Sequence, residues 1–410
     1  MYIAILGRQP ELGIAELEQL YSDVSWFSDT TALVNFDKPD LSRLGGSQKI
    51  GRIVAELPSG DWTRASRQLV SAYQAAWQNH DGKITLGLSA FGFGGKVSAR
   101  EVQKTGIILK QKLKQSGVSL RLVPNDGPAL STATSHHNKL GLSDNKVELI
   151  IVRAKNGRIV IAESIGSQNI TAYAKRDQGR PKRDAFVGML PPKLAQMMIN
   201  LGTGDRHLAF GESQSSPQIQ PQPPTTKPQS PTLLDPFCGT GVILQEAALM
   251  EYSVYGTDLA PKMVDFTGQN LDWLNNTHRV EVNSRLEQGD ATDHVWRQPI
   301  DAVVCESYLG QPFSAPPSPA KLREVRGNCN HIIGNFLKNI GSQLKSGTPL
   351  CVAVPAWRST DGSFTHLPLT GQLKQLGYTQ VELKTVKPHQ LLYYREDQVV
   401  ARELLLLVKA

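Results

Sequence analysis

Cysteine is scarce: Cys238, Cys305, Cys329 and Cys351 stand singly in the second half of 410 residues, with no Cys-x-x-Cys pair and no histidines at ligand spacing. That pattern excludes a disulfide framework and gives zinc no ligand set. His136 and His137 are adjacent, and neighbours on a helix or strand point in different directions, so they share no metal and read as surface or substrate-facing. No run approaches the roughly 18 apolar residues that span a bilayer. The first residues, MYIAILGRQPELG, lack the basic flank and cleavage site of a secretion signal. The expectation is a cytoplasmic protein with no membrane partner and no metal, a monomer or weak oligomer. No internal repeat is present.

With 40% hydrophobic, 20% charged and 7% aromatic residues, the chain has the composition of a folded globular protein of two or three domains. Lys and Arg total 44 against 37 Asp and Glu, a net +7, which suits a polyanionic partner without proving one. Gln, Pro and Ser crowd residues 210–232, a stretch too poor in apolar surface to offset its ordering entropy, read as a flexible insertion. Before it, strand-like runs at 2–6, 32–36, 52–57, 83–92 and 120–124 alternate with helical patterns at 10–20, 62–77 and 102–114. Runs 147–154 and 157–166 flank Asn156-Gly157 and predict a hairpin. A first α+β domain closes near Gly166, and residues 167–209 form a connecting basic loop and helix.

Residues 233–410 are more regular. Strands are expected at 232–237, 253–259, 285–291, 301–307, 348–357, 379–386 and 399–409, with helices between the first five and the last two as an antiparallel pair at the edge. Such alternation builds an α/β domain with a mostly parallel sheet, and ligands bind at the carboxyl ends of its strands. There the first strand runs into Asp235-Pro236-Phe237-Cys238-Gly239-Thr240-Gly241, the second ends on Asp258 followed by Leu259, and the third leads to Gly289-Asp290-Ala291. Gly239 and Gly241 allow a sharp turn and close approach of a ligand. Asp258 stands like the acid that binds a ribose hydroxyl in nucleotide-binding sheets. Taken singly, Asp258 or Asp290 reads more readily as a helix cap or a solvated strand end. A dinucleotide-binding dehydrogenase is the rival, but Leu244 stands where its third glycine belongs, and Asp235 would repel a pyrophosphate.

As a set, these residues resemble the class I S-adenosylmethionine-dependent methyltransferases, a Rossmann-like fold. The resemblance implies that Asp235, Phe237, Gly239 and Gly241 surround the methionine part, Asp258 and Leu259 the ribose, and Asp290 and Ala291 the adenine. The fourth strand runs into Glu306-Ser307-Tyr308-Leu309-Gly310, where amino-methylating relatives carry Asp or Asn, two prolines and an aromatic. A conjugated exocyclic amine is a poor nucleophile, so a carboxylate and a backbone carbonyl that accept its N–H bonds orient it and stabilise developing charge. Glu306 and the Ser307 carbonyl would do this, with Tyr308 against the base. Both prolines are missing and the tyrosine comes one residue early; Pro312 and Phe313 follow shortly after.

The block 188–201, GMLPPKLAQMMINL, is similar to the segment that precedes these motifs in tRNA guanosine-N2 methyltransferases with a THUMP domain. The likeness extends to Leu44-Gly45-Gly46-Ser47-Gln48-Lys49-Ile50, to 88–95, to Leu130-Ser131-Thr132-Ala133, to Asn138-Lys139-Leu140 and to 391–409. It implies a THUMP-containing RNA-binding region over residues 1–166 and a methyltransferase that uses S-adenosylmethionine on a guanine amino group of tRNA, at position 10. Arg100 and Lys104 on a helix, and Arg176, Arg180, Lys182 and Arg183 in the basic loop, are the candidate phosphate contacts; solvated charged faces are the plainer alternative. Two other readings remain: an RNA-binding protein of the same fold that no longer transfers methyl groups, and a methylase of another exocyclic amine in RNA.

Overall fold

The computed structural model describes residues 1–36, 39–184, 190–204 and 230–410. Most of the Gln/Pro-rich segment 210–232 therefore lies outside the described residues. The chain divides into two compact units, Met1–Leu17 with Tyr21–Tyr173, and Glu18–Leu20 with Ala174–Ala410. Among the described residues no helix is long and apolar enough to cross a membrane.

The first unit is an eight-stranded sheet in the order β2-β3-β1-β4-β8-β7-β5-β6. Its strands are β1 (Tyr2–Leu6), β2 (Asp23–Ser28), β3 (Thr31–Asn35), β4 (Ser47–Leu57), β5 (Lys83–Phe91), β6 (Ser119–Leu122), β7 (Lys146–Arg153) and β8 (Ile159–Ser167). Its helices are α1 (Pro10–Leu20), α2 (Trp62–Trp77), α3 (Ala99–Gln115) and α4 (Thr132–His137). On α2, Leu69 and Tyr73 recur at helical spacing, as do Val102, Leu109 and Leu113 on α3, and both stripes bury against Leu86, Leu88, Leu149 and Ile161 of the sheet. Burial of each such side chain stabilises by about 1.5–3 kcal/mol. The start of α3 is fixed by a reciprocal cap, in which Ser98 Oγ accepts from Glu101 N–H and Glu101 Oε2 accepts from Ser98 N–H. The predicted hairpin is β7–β8, antiparallel, turned by Gly157 at φ +88°.

Helices α5 (Ile170–Gly179) and α6 (Pro192–Thr203) lead to the second sheet. Its strands are β9 (Thr232–Asp235), β10 (Ser253–Asp258), β11 (Ser284–Gln288), β12 (Ala302–Glu306), β13 (Pro349–Arg358), β14 (Phe364–Thr365), β15 (Tyr378–Gln380), β16 (Leu392–Tyr393) and β17 (Val400–Lys409). The order β11-β10-β9-β12-β13-β17-β15 is parallel as far as β13 and antiparallel from β17 onward. Helices α7 (Val242–Leu249), α8 (Pro261–His278) and α9 (Pro319–Gly341) connect the parallel strands. Order reverses at β9, so the carboxyl ends of β9, β10 and β12 flank a crevice, the place where such sheets bind ligands.

Two expectations fail here. No helix joins β11 to β12: the connection turns on Asp290, whose Oδ1 accepts from Thr292 N–H, and its backbone carbonyls at Ala291 and His294 are met by Asn339 of α9. Side chains of the next helix thus satisfy polar groups that a helix would have paired internally. The strand expected at 379–386 is only Tyr378–Gln380, because β15 and β16 share one edge of β17, at residues 407–409 and 402–403.

Candidate cofactor and base site

A cavity of about 660 Å³ opens at the carboxyl ends of β9, β10 and β12, within the usual range for small-molecule sites. Phe237, Asp258 and Leu259 line it from the first two strand ends, Asp290 and Ala291 from the connection after β11, and Glu306, Ser307 and Tyr308 from the end of β12. The sheet therefore brings eight of the expected site residues to one place. Leu259 and Tyr308 are 67% and 42% exposed; large apolar side chains left open beside a cavity are the informative exception to burial.

Asp235, Gly239 and Gly241 build the turn beside the cavity and are not among its lining residues. Gly239 has φ +51°, and no atom stands closer than 4.0 Å to the place a Cβ would occupy. Its backbone is open to a close neighbour. Gly241, at φ +79°, has no such room: a Cβ would meet Thr267 at 2.9 Å. One glycine serves approach and the other serves the turn.

Asp258 ties the turn down. Its Oδ2 accepts from Gly239 N–H at 2.9 Å and its Oδ1 from Ala260 N–H at 2.9 Å. It is a structural clamp as well as a cavity residue, and each oxygen keeps a second lone pair for a hydroxyl. Asp290 receives both Thr292 N–H and Thr292 Oγ–H on Oδ1, which leaves Oδ2 available. Asp235 is buried, accepts from Phe237 N–H at 3.1 Å, and has its carboxyl pushed well above the usual range by burial and by Asp258 and Glu306. Asp258 and Asp290 on the cavity make the region electronegative, a field that suits a cationic sulfonium and opposes a pyrophosphate.

Glu306 ends β12, and its Oε1 accepts from Arg402 Nε of β17. Burial pushes the Glu306 carboxyl up, and the Arg402 guanidinium opposes that. Ser307 turns inward: its Oγ–H and N–H both donate to the Ala353 carbonyl, at 2.8 and 3.0 Å. Phe313 packs on the hydrophobic core and does not line the cavity. Sequence reading missed Arg402, which lies 96 residues from Glu306 with no spacing signal. It also missed His331 and Asn335, four apart on α9, hydrogen-bonded at 3.1 Å and lining the cavity; their spacing on one helix face was the available clue.

The basic loop needs correction. Arg176 was expected at a phosphate surface, but its Nε and Nη2 donate to both oxygens of the buried Glu246 of α7, at 2.7 and 3.0 Å. Arg180 is likewise wrong as a surface contact, its side chain being 1% exposed and 3.5 Å from Asp177. A buried carboxylate demands a partner, and these cations supply charge to the interior. Asn270 of α8 then clamps the loop, accepting from Lys182 N–H and donating to the carbonyls of Lys182 and Thr240, all at 2.8–2.9 Å. Lys182 is half-buried and Arg183 exposed. In the first unit, Arg100 and Lys104 are exposed on α3.

Residues 225–324 match the family model described as the RMKL-like methyltransferase domain. The tRNA (guanine(10)-N2)-dimethyltransferase of Methanothermobacter thermautotrophicus is 30% identical over 184 residues, 44% of this chain and 43% of that protein. The enzyme of the same name from Methanocaldococcus jannaschii is 23% identical over 204 residues, 49% of this chain and 50% of that one. The matches thus span about half the length of these curated relatives. Among solved structures, TrmN from Thermus thermophilus superposes with a TM-score of 0.52 over 100% of this chain and 99% of its own, at 15% identity, a likeness of fold. The open Gly239 backbone, the carboxylates and the cavity fit S-adenosylmethionine. The second unit thus has a Rossmann-like fold, its residues 225–324 match a methyltransferase family model, and the chain is similar over 44% of its length to a tRNA (guanine(10)-N2)-dimethyltransferase.

Proposed function

We propose that the protein methylates the exocyclic N2 amine of a guanosine in tRNA, at position 10, in the cytoplasm. The observation that carries this reading is the placement of Glu306 and Tyr308 on the same cavity as Asp258 and Asp290. Asp258 would hold the ribose hydroxyls, Asp290 Oδ2 the adenine amine, and the turn at Gly239 the methionine end. When bound, S-adenosylmethionine supplies an electrophilic methyl group. Glu306 and the Ser307 carbonyl accept the N–H bonds of the target amine and turn its lone pair toward that methyl. Tyr308, half-open at the rim, stacks on the base. The proton released from the product amine passes to Glu306 Oε2 or to solvent. Extruding the base costs a few kcal/mol, offset by contacts elsewhere on the RNA.

The resemblance assigns RNA binding to the first unit as a THUMP-containing domain, and Arg100 and Lys104 are the cations it offers to phosphates. One observation favours the non-catalytic alternative, the engagement of Glu306 by Arg402. Unmodified tRNA transcripts incubated with labelled S-adenosylmethionine, digested to nucleosides and read by mass spectrometry, separate the readings. Labelled N2-methylguanosine supports the proposal. Labelled adenosine moves the acceptor to another amine, and no label despite demonstrated binding of cofactor and tRNA leaves an RNA-binding protein.

A further inference from the structure

Arg402 and Glu306 meet across an intervening strand. In the sheet register Glu306 of β12 stands beside Ala353 of β13, and Ala353 beside Leu404 of β17. Arg402 lies two residues from Leu404 and so on the same face. Ala353 is the smallest side chain that could stand between them, and it leaves the guanidinium a path to Glu306. The backbone just past Glu306 is fixed as well, by the two Ser307 bonds to the Ala353 carbonyl. Glu306 is thus held at its main chain from one side and at Oε1 from the other, while it lines the cavity.

A carboxylate with one oxygen committed to a guanidinium is an anion that only accepts hydrogen bonds. Guanine presents two adjacent donors on its pairing edge, N1–H and the N2 amine. Adenine presents one donor, the N6 amine, beside an acceptor, N1. A fixed anion attracts the first edge and repels the lone pair of the second; a protonated carboxyl, with one donor beside one acceptor, matches the adenine edge instead. We infer that Arg402 is a positioning residue that keeps Glu306 a one-sided anionic acceptor, and so sets the preference of the site for guanine over adenine. The inference rests on the methyl-transfer reading.

The groups facing Glu306 are Arg402 from β17 and Asp235 from β9, with Asp258, Asp290 and His331 on the same cavity. Burial favours the protonated Glu306 carboxyl, and Arg402 opposes it. The test compares wild type, Arg402→Lys and Arg402→Ala in methyl transfer to tRNA transcripts between about pH 5 and 9. Loss of Arg402 should move the acid limb of kcat/KM upward by about one pH unit or more, with Arg402→Lys in between. The share of label in adenosine should rise about tenfold in Arg402→Ala. A role confined to packing would lower activity evenly and move neither limb nor ratio.

A second readout needs no substrate: carbon-13 NMR of the Glu306 carboxyl, assigned by comparison with Glu306→Gln, should titrate at higher pH in Arg402→Ala than in wild type. An unchanged titration, or an unchanged limb and base ratio in a folded Arg402→Ala protein, overturns the inference. Should Arg402→Ala not fold, Arg402→Lys carries the same comparison. A wild-type protein that transfers no methyl group sinks the methyl-transfer reading and the selectivity with it; the carboxyl titration then decides the positioning role alone.

Discussion

Among the described residues, the ion pair of Lys49 and Glu148 in the first unit and that of Arg402 and Glu306 in the second differ in what surrounds them. In the first, Lys49 of β4 and Glu148 of β7 are closed off: Lys49 Nζ also donates to the Leu130 carbonyl at 2.8 Å, and Ser89 Oγ donates to Glu148 Oε1 at 2.6 Å. Both side chains are about 1% exposed or less. In the second, Arg402 and Glu306 are 10% and 17% exposed, and Glu306 lines a cavity. The closed pair turns its bonds inward, tying β4 and β7 to the segment before α4. An open pair retains capacity for a ligand. Burial alone therefore does not mark function; burial beside space does.

The sharpest way to break this comparison is to cut each pair. Lys49→Ala strands a buried carboxylate, and unfolding should show a loss of about 3–5 kcal/mol, with methyl transfer per folded molecule unchanged. Glu306→Gln keeps the shape of the open pair; kcat should fall about 10²–10³-fold while calorimetry shows tRNA and cofactor binding intact. Equal stability losses with equal activity would erase the distinction drawn between them.

Asp235 sharpens it through pH. Its carboxyl is raised in the folded chain, so the native state holds the proton more tightly than the unfolded one. Stability is then highest below the unfolded value near 3.8 and falls as pH rises through the window above it. Asp235→Asn should raise stability at pH 7 by on the order of 1 kcal/mol, with the gain vanishing in acid, and should weaken S-adenosylmethionine binding. A thermal melt series across pH reads the first effect and calorimetry the second.

The smallest effect separates surface from interior cations. Arg100→Ala with Lys104→Ala should weaken tRNA binding severalfold and reduce the salt dependence by about 0.7–0.9 per lost phosphate contact. Arg176→Ala, which removes the partner of Glu246, should lower the melting temperature and leave the salt slope alone.

Much of the second sheet was legible because it announces itself locally. The Asp-Pro-Phe-Cys-Gly-Thr-Gly turn follows a buried strand, Asp258 closes the next, and Asp290 follows the third. The β7–β8 hairpin was equally plain from its Asn-Gly turn. The missing helix between β11 and β12 was not, because the side chains that replace its internal bonds come from Asn339 and Gln343, beyond the next strand. Arg176 and Arg180 read as surface charge for the same reason: Glu246 sits in an apolar helix where nothing nearby in sequence shows that a cation must come to it.

Local chemistry, then, was settled by the sequence: periodicity fixes which faces are apolar, and glycine and aspartate at strand ends fix where a turn can meet a ligand. Pairing across distance was decided by the tertiary structure. Which carboxylate is clamped by backbone N–H groups and which is met by a distant cation depends on strand order and register. Those follow from packing summed over the whole sheet, and no short window of residues contains it.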